Sequence, residues 1–548
     1  MHLEPTPPST DTAKIHDRRW GILAVLCLSV LLVVVDNTIV NVALPSISRQ
    51  LAASTGSLQW VVDAYTLVFA GLLLVGGNLG DRLGRRRMLQ IGLVLFALTS
   101  VGAALAQTTG QLIAARAAMG VGAALIYPST LALLSNVFTD ARERATAIGI
   151  WAGISGLAVA VGPISGGLLL ADFGWSSVFW LNVPLVFIAL SLGRALLPES
   201  RDHTAGAFDA PGAVLSVVSI TVLVTTVIEA PTQGWTAPLI IGGFVAALLV
   251  LAAFVAWEIR CAEPLLDVRL FTNARFSSAS AAISLSFFGL FGFIFLITLY
   301  FQVILGYTPL HAGVATLPFA LVTGSLSPVA ILLMKRFGTK IVVTTGLALM
   351  SGGFALAASV TLGSSYWGRV VCSMVLMAAG LAFTTGPASE AIMGALPRAK
   401  AGAGSAVNDT TRELGGTLGV AVIGSVLSSL YGAHVATSLA ALGAPTEAIR
   451  TARSSLVAGL DTVGQLPAAM QAPALSAIRH AFIDGLSAGS LVAAGVTGAA
   501  ALAALAWLPA RDTGPANPQS PPSGGVPDRV EDLFVLRSSA DPSARRDG

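Results

Sequence analysis

The sequence predicts an all-α protein embedded in a membrane, with fourteen bilayer-crossing helices, and three observations carry that prediction. The 548 residues are 54% hydrophobic and 11% charged, whereas soluble domains carry about 25% charged residues. The apolar residues are gathered into runs, and about 20 of them at 1.5 Å per residue span a hydrocarbon layer of ~30 Å. The cations collect in alternate connections between those runs, which fixes a sidedness. A soluble globule is thereby excluded, and no nucleic-acid partner is expected. The formal net charge of +3 says less than the arrangement of the charges.

In chain order, residues 1–19 are polar, with no cleavable leader, and read as a cytoplasmic tail. Apolar spans follow near 20–44, 57–79, 88–106, 111–135, 145–171, 175–197, 210–229, 238–257, 277–304, 309–334, 341–361, 367–392, 402–431 and 487–509. Lys14, Arg18 and Arg19, Arg82 and Arg85 to Arg87, Arg142 and Arg144, Arg194 and Arg201, Arg260, Arg269 and Arg275, Lys335, Arg336 and Lys340, and Arg398 and Lys400 all fall on one side. By the positive-inside bias that side is cytoplasmic, and so are both termini. A long external connection, 432–486, holds Leu475, Ile478, Phe482, Ile483 and Leu486 at helical spacing, predicting a surface helix that leads into the last span, its stripe an ordinary packing face against the outer rim in preference to a regulatory cap. From residue 510 to 548 the composition is rich in Pro, Ser, Gly and Asp and predicts disorder. Cys27, Cys261 and Cys372 have neither pairing nor metal-ligand spacing. Four lysines among 31 basic residues suggest a GC-rich bacterial genome.

One turn organises the rest: Gly77-Asn-Leu-Gly-Asp-Arg-Leu-Gly-Arg-Arg-Arg-Met88 sits between two apolar runs. Its arginines mark it as cytoplasmic, and its glycines let two helix ends approach closely. Leu79-Gly-Asp-Arg-Leu-Gly-Arg-Arg aligns with Leu333-Met-Lys-Arg-Phe-Gly-Thr-Lys at an offset of 254 residues. That weak repeat implies two six-span halves, 20–200 and 271–509, with two spans inserted between them in 201–270. Repeated halves suit a central site that opens alternately to either side.

The turn resembles the signature of the major facilitator superfamily, and fourteen spans resemble its drug:proton antiporter branch. The resemblance runs from about Trp20 to Pro509. Val35-Asp-Asn-Thr-Ile-Val-Asn-Val-Ala-Leu-Pro45 resembles the branch's first-helix signature, and Arg116-Ala-Ala-Met-Gly-Val-Gly-Ala-Ala124 its fourth-helix motif with a buried arginine. Gly156 followed by Gly162-Pro-Ile-Ser-Gly-Gly167 (Gly162, Pro163, Gly166, Gly167) resembles the antiporter motif of the fifth helix. Small residues there allow backbone-to-backbone packing, and the proline bends the helix. The same glycines also fit tight packing without motion.

Ionisable residues inside spans are costly and face a partner or a wet cavity. Asp36, Asp63 and Arg116 fall in the outer half of their spans. Asp36 with Arg116 is read as the proton-coupling pair, a static ion pair being the alternative. Trp60-Val-Val-Asp-Ala-Tyr-Thr, around Asp63, resembles branch members that export quaternary ammonium compounds and cationic dyes. Glu390 lies near the cytoplasmic end of span twelve, and span thirteen carries Asp409 and Glu413 on one helix face with Arg412 close by. Together these acids predict a cavity acidic along its length and suited to lipophilic cations, unless Arg412 neutralises its neighbours. Asp81 is expected as a latch against the start of span thirteen at Gly402 to Ser405, supported by Arg82, Arg85, Gly77 and Gly84.

The sequence lacks a Gly-Lys dipeptide and hence a phosphate-binding loop. The expected energy source is a proton gradient with no cofactor, one charge moving down 100 mV releasing about 2.3 kcal/mol. The expectation is a monomeric, non-enzymatic antiporter of the bacterial inner membrane, whose partners are lipophilic cationic drugs, protons and lipid. Export of a neutral or anionic natural product for self-resistance, or a receptor or scaffold on the same fold, are the alternatives.

Overall fold

A computed structural model of the chain describes residues 10–201, 209–395 and 401–509, with only the backbone for residues 10–16, 141, 145 and 401–405. Fourteen of its helices are long and apolar enough to cross a membrane. They are α1 (Thr10–Leu51), α2 (Thr55–Leu83), α3 (Arg85–Ala104), α4 (Thr109–Val137), α5 (Ala141–Asp172), α6 (Ser177–Leu196) and α7 (Ala210–Gln233). Then come α8 (Pro238–Arg260), α9 (Ala274–Ile304), α10 (Pro309–Phe337), α11 (Thr339–Ala358), α12 (Tyr366–Gly394), α13 (Ala401–Ala441) and α14 (Ala468–Trp507). The fold is the two-bundle one the repeat implied, with α7 and α8 as the inserted pair.

Local chemistry sets the helix starts. Ser54, Thr108, Asp140 and Asn273 each accept hydrogen bonds from backbone N–H groups of the first turn that follows, satisfying donors that have no partner inside the helix. The repeat is visible in backbone conformation. Gly84 joins α2 to α3 with φ +111°, and Gly338, at the same register, joins α10 to α11 with φ +87°. Only glycine adopts such angles without strain. Close approach repeats too: Gly92 meets Gly122 between α3 and α4, and Gly346 meets Gly380 between α11 and α12.

Burial sorts the helices into central and lipid-facing ones. In its most apolar stretch α9 is 78% buried, whereas α8 is only 17% buried. With 70% exposure at Leu239 and 67% at Leu248, α8 is a rim helix whose apolar surface suits lipid. Two π-helical turns, Tyr300–Ile304 ending α9 and Tyr366–Val370 beginning α12, lie at one end of the second half. The end holding the α2–α3 turn is called the basic end below, and the opposite one the far end.

The far end differs from expectation. Instead of a surface helix followed by a separate last span, α14 runs unbroken from Ala468 to Trp507. Ile478, Phe482, Ile483 and Leu486 are buried against the core, and Leu475 is partly buried on it, so the stripe is a packing face. Pro473 removes one backbone donor near the start of the helix, and beyond it the apolar stripe continues into the span. The α13 helix likewise extends to Ala441, and two short helices, Thr446–Ser454 and Leu456–Val463, fill the remaining connection. The expected disordered tail lies outside the described residues.

Candidate functional site

The buried ionisable groups fall into three separate settings. In the first, Arg116 of α4 donates through Nη1 to Oδ2 of Asp36 on α1, both side chains being fully buried. Asp36 Oδ1 accepts from Asn182 Nδ2 of α6 at 2.8 Å, and the same amide donates to Ser100 Oγ of α3 at 3.1 Å. Arg116 Nε donates to the Val61 carbonyl of α2 at 3.1 Å, and its guanidinium lies 4.2 Å from the centroid of the Tyr65 ring. Tyr65 in turn donates to the Val33 carbonyl at 3.2 Å. One ion pair thus gathers α1, α2, α3, α4 and α6. The expected Asp36–Arg116 contact is present, and Asp36 has both oxygens occupied.

Asp63 occupies the second setting. It is fully buried, and neither carboxylate oxygen finds a hydrogen-bond partner among the described residues. On α2 it lies between Gln59 and Leu67 at steps of four, so the three share a face. Gln59 Nε2 donates across to the carbonyls of Val420 and Ala421 on α13 at 3.2 and 3.1 Å, while Leu67 packs with Val224, Val227 and Ile228 of α7 and Ala421. The face carrying Asp63 therefore looks away from Arg116, toward the seam of α2, α7 and α13.

The third setting is on α13. Arg412 lies 3.7 Å from Asp409, a long ion pair, and stacks 4.7 Å from the Phe287 ring of α9. Asn408 Nδ2 donates to Asp409 Oδ1 at 3.4 Å, and Asn408 Oδ1 accepts from Ser389 Oγ of α12 at 2.9 Å. Glu413 keeps Oε2 buried without a partner among the described residues. Tyr65 of α2 lies within electrostatic reach of Glu413, and Tyr127 of α4 within reach of Asp409, Arg412 and Glu413. Glu390, expected to belong with them, is exposed on α12 and forms no ion pair among the described residues.

Such a distribution departs from a cavity acidic along its whole length. Asp36 is neutralised by Arg116, and Asp63 is fully buried, one turn from Leu67 in its apolar cluster with α7. The groove of about 410 Å3 on this molecule lies elsewhere, between α1 and α5, lined by Trp20, Cys27, Ile150, Ile154 and other apolar side chains without a carboxylate.

At the basic turn, Arg85 donates through Nε to Asp81 Oδ1 at 2.8 Å, and its backbone N–H donates to the Ser200 carbonyl at 2.8 Å. Arg86 N donates to Glu199 at 3.2 Å. A side chain at Gly84 would meet the Glu199 carboxylate at 2.6 Å. Asp81 is thus engaged inside the turn, which is strapped to the segment after α6, and Arg82 is exposed. The expected contact of Asp81 with Gly402 to Ser405 falls on side chains outside the described residues. Gly77 lies an ordinary contact distance from Pro128 of α4.

The fifth-helix run packs as its composition suggests. Gly162 and Gly166 lie against Thr38 and Ile39 of α1, Gly167 against Pro309 and Leu310, and the Pro163 carbonyl against Gly313 of α10. Gly156 faces open space. Further contacts across the halves lie toward the far end: Gln302 Nε2 donates to the Val42 carbonyl at 2.8 Å, and Ser48 bonds Ser455 at 3.1 Å. Sequence reasoning missed Asn182, Ser100, Gln59, Tyr65, Tyr127 and Gln302. The available signal was a polar amide inside an apolar run, as in Trp180-Leu-Asn-Val-Pro184.

Residues 26–420 match the family model of the Major Facilitator Superfamily. The chain is 38% identical over 503 residues to the "Multidrug efflux pump LfrA" of Mycolicibacterium smegmatis, covering 91% of this chain and 97% of that one. It is 33% identical over 469 residues to the "Methyl viologen resistance protein SmvA" of Salmonella typhimurium, covering 85% and 93%. In fold it is similar to an inward-facing, unoccupied bacterial homologue of the human lysosomal transporter Spinster, with a TM-score of 0.60 at 17% identity, covering 89% and 98%.

Proposed function

The chain belongs to the major facilitator superfamily of membrane transporters, and from that premise we propose that it exports lipophilic, mainly cationic drugs in exchange for protons by alternating access. Quaternary ammonium compounds, dyes and antibiotics are the substrate class. The observation that carries this reading is Asp63, a fully buried carboxylate with no hydrogen-bond partner among the described residues. An unpaired ionised carboxylate in a dry site costs several kcal/mol. It therefore holds either a proton or a cation, and a group that must hold one of the two exchanges them. Methyl viologen, in the name of one relative, is an organic cation, the substrate class proposed here.

Asp409 and Glu413, with Glu390 nearer the end of α12, supply a second cation-attracting region on the second half. Phe287 and Tyr127 give that region aromatic faces, which attract organic cations. Asp36 and Arg116 form the other protonation point. A proton on Asp36 would release Arg116 and Asn182, and with them the junction of five helices, so proton binding there loosens the first half. The far-end contacts through Gln59, Gln302 and Ser48 close that end, and the basic end is where the exchange site opens. We take the basic end as cytoplasmic, with both termini inside, in a bacterial inner membrane. On this reading the protein works as a monomer and carries no resident cofactor. Asp81, strapped by Arg85, would act as a latch when the halves close at the basic end.

Everted membrane vesicles with an acidic lumen test the reading through ethidium. The expected result is accumulation that follows the pH gradient and collapses with a protonophore, with Asp63→Asn losing ethidium while an uncharged drug is still moved. Ethidium uptake indifferent to the gradient, or wild-type ethidium uptake by Asp63→Asn, would overturn it.

A further inference from the structure

The inserted helix α7 stands in the seam between the halves, beside Asp63. Its two neighbours hold it differently. Toward α13 the contact is polar and fixed: Ser425 Oγ, fully buried, donates to the Val227 carbonyl at 2.8 Å, and just past the helix end Trp235 Nε1 donates to Ser429 Oγ at 3.1 Å. Toward α2 the observed contact is apolar and smooth. Val217 lies on Gly71, Ile228 lies 3.8 Å from where a side chain on Gly56 would begin, and Leu67 packs among Val224, Val227 and Ile228. Hydrogen bonds in a dry seam resist displacement, because breaking them strands donors and acceptors away from water. Apolar surfaces meeting at glycines slide without that penalty, so along α2 the bonds that movement must break are the two from Gln59 to the Val420 and Ala421 carbonyls at the far end of the seam.

We propose that α7 travels with α13 as part of the second half and slides along α2, so that its movement covers and uncovers Asp63. The insertion is then a moving wall of the exchange site. Without it, the Asp63 face of α2 would border lipid at the seam; with it, access to the carboxylate is tied to the relative motion of the halves. Ser425 is the positioning residue that makes α7 follow α13. This inference rests on the alternating-access reading given above.

Two cysteine pairs test it, in a protein whose Cys27, Cys261 and Cys372 are replaced by serine. A Cβ at Gly71 would lie 3.8 Å from Val217 Cβ, the spacing of a disulfide. Oxidising Gly71→Cys/Val217→Cys locks α7 to α2, and a short bifunctional thiol reagent on Trp235→Cys/Ser429→Cys, which leaves Ser425 in place, locks the end of α7 to α13. The expected result is that the first lock lowers ethidium transport about ten-fold or more, reversibly with reductant, while the second leaves it near the unlinked rate. Transport surviving the first lock, or blocked by the second, overturns the proposal. A measurement that needs no transport separates this failure from failure of the exporter reading. Spin labels on Gln233 of α7 and Thr437 of α13 should keep their distance between acid and alkaline pH with ethidium present. Labels on Gln233 and on Gln107, between α3 and α4, should change theirs by several ångström. A changing 233–437 distance, or a constant 233–107 distance, overturns it even if no cation moves.

Discussion

Asp36 and Asp63 are the same side chain, fully buried in the same half of the molecule, on neighbouring helices. Asp36 has a guanidinium on one oxygen and an amide on the other, and through them it holds five helices. Asp63, on the α2 face turned away from Arg116, has neither. Burial alone therefore does not say what a carboxylate is for; the supply of partners does. A satisfied carboxylate resists losing its charge because its cation would be stranded. An unsatisfied one is stable only with something brought from outside. The first is suited to hold structure until a proton breaks it, the second to bind and release.

The sharpest way to break this comparison is Asp36→Asn. It leaves Arg116 buried without its counter-charge, and removing one partner of a buried pair costs about 3–5 kcal/mol. The expected outcome is a large drop in melting temperature of the purified protein together with loss of transport, and the double variant Asp36→Asn/Arg116→Gln should regain much of the stability. An Asp36→Asn protein that melts like wild type would mean that the pair is not what holds these helices.

Asp63→Asn should behave in the opposite way. No protein partner is stranded, so stability should change by no more than about 1 kcal/mol. Ethidium export should nevertheless fall steeply while folding, followed by melting temperature and size-exclusion profile, stays intact. If Asp63→Asn destabilises as much as Asp36→Asn, then Asp63 has a structural partner and the distinction fails.

The sequence carried the fold well because hydrophobic runs and alternating cations are one-dimensional signals. All fourteen spans were legible, and Gly84 and Gly338 mark the repeat in both sequence and backbone angle. The stripe from Leu475 to Leu486 packs as its spacing suggested, but that the helix carrying it runs unbroken into the last span was not legible, because only the neighbouring helices decide it. For the site, counting residues from the span ends put Asp36 and Arg116 at one depth, and they do pair. Depth could not say that Asp63 turns toward a different seam, since helix rotation about its axis depends on tertiary packing. Reasoning from charge also passed over Asn182 and Gln59, whose amides make contacts as specific as those of any ion.

Those amides grade the comparison further. Asn182→Ala removes the donor on Asp36 Oδ1 but keeps Arg116, so the carboxylate loses one charge-assisted hydrogen bond, worth about 1.5–3 kcal/mol. The expected destabilisation lies between those of Asp36→Asn and Asp63→Asn. In a double-mutant cycle it should be largely absent in the Asp36→Asn background, where the acceptor's charge is already gone.

Ser100→Ala comes last. Ser100 Oγ accepts from the Asn182 amide and never touches the ion pair. A hydrogen bond between membrane helices averages about 0.6 kcal/mol, so a small fall in melting temperature and near-normal ethidium export are expected. A loss of export as large as that of Asn182→Ala would mean that the orientation of the amide, and not merely its presence, tunes Asp36. The serine would then belong to the proton-coupling unit, and the boundary of that unit would move outward from α1 and α4 to include α3.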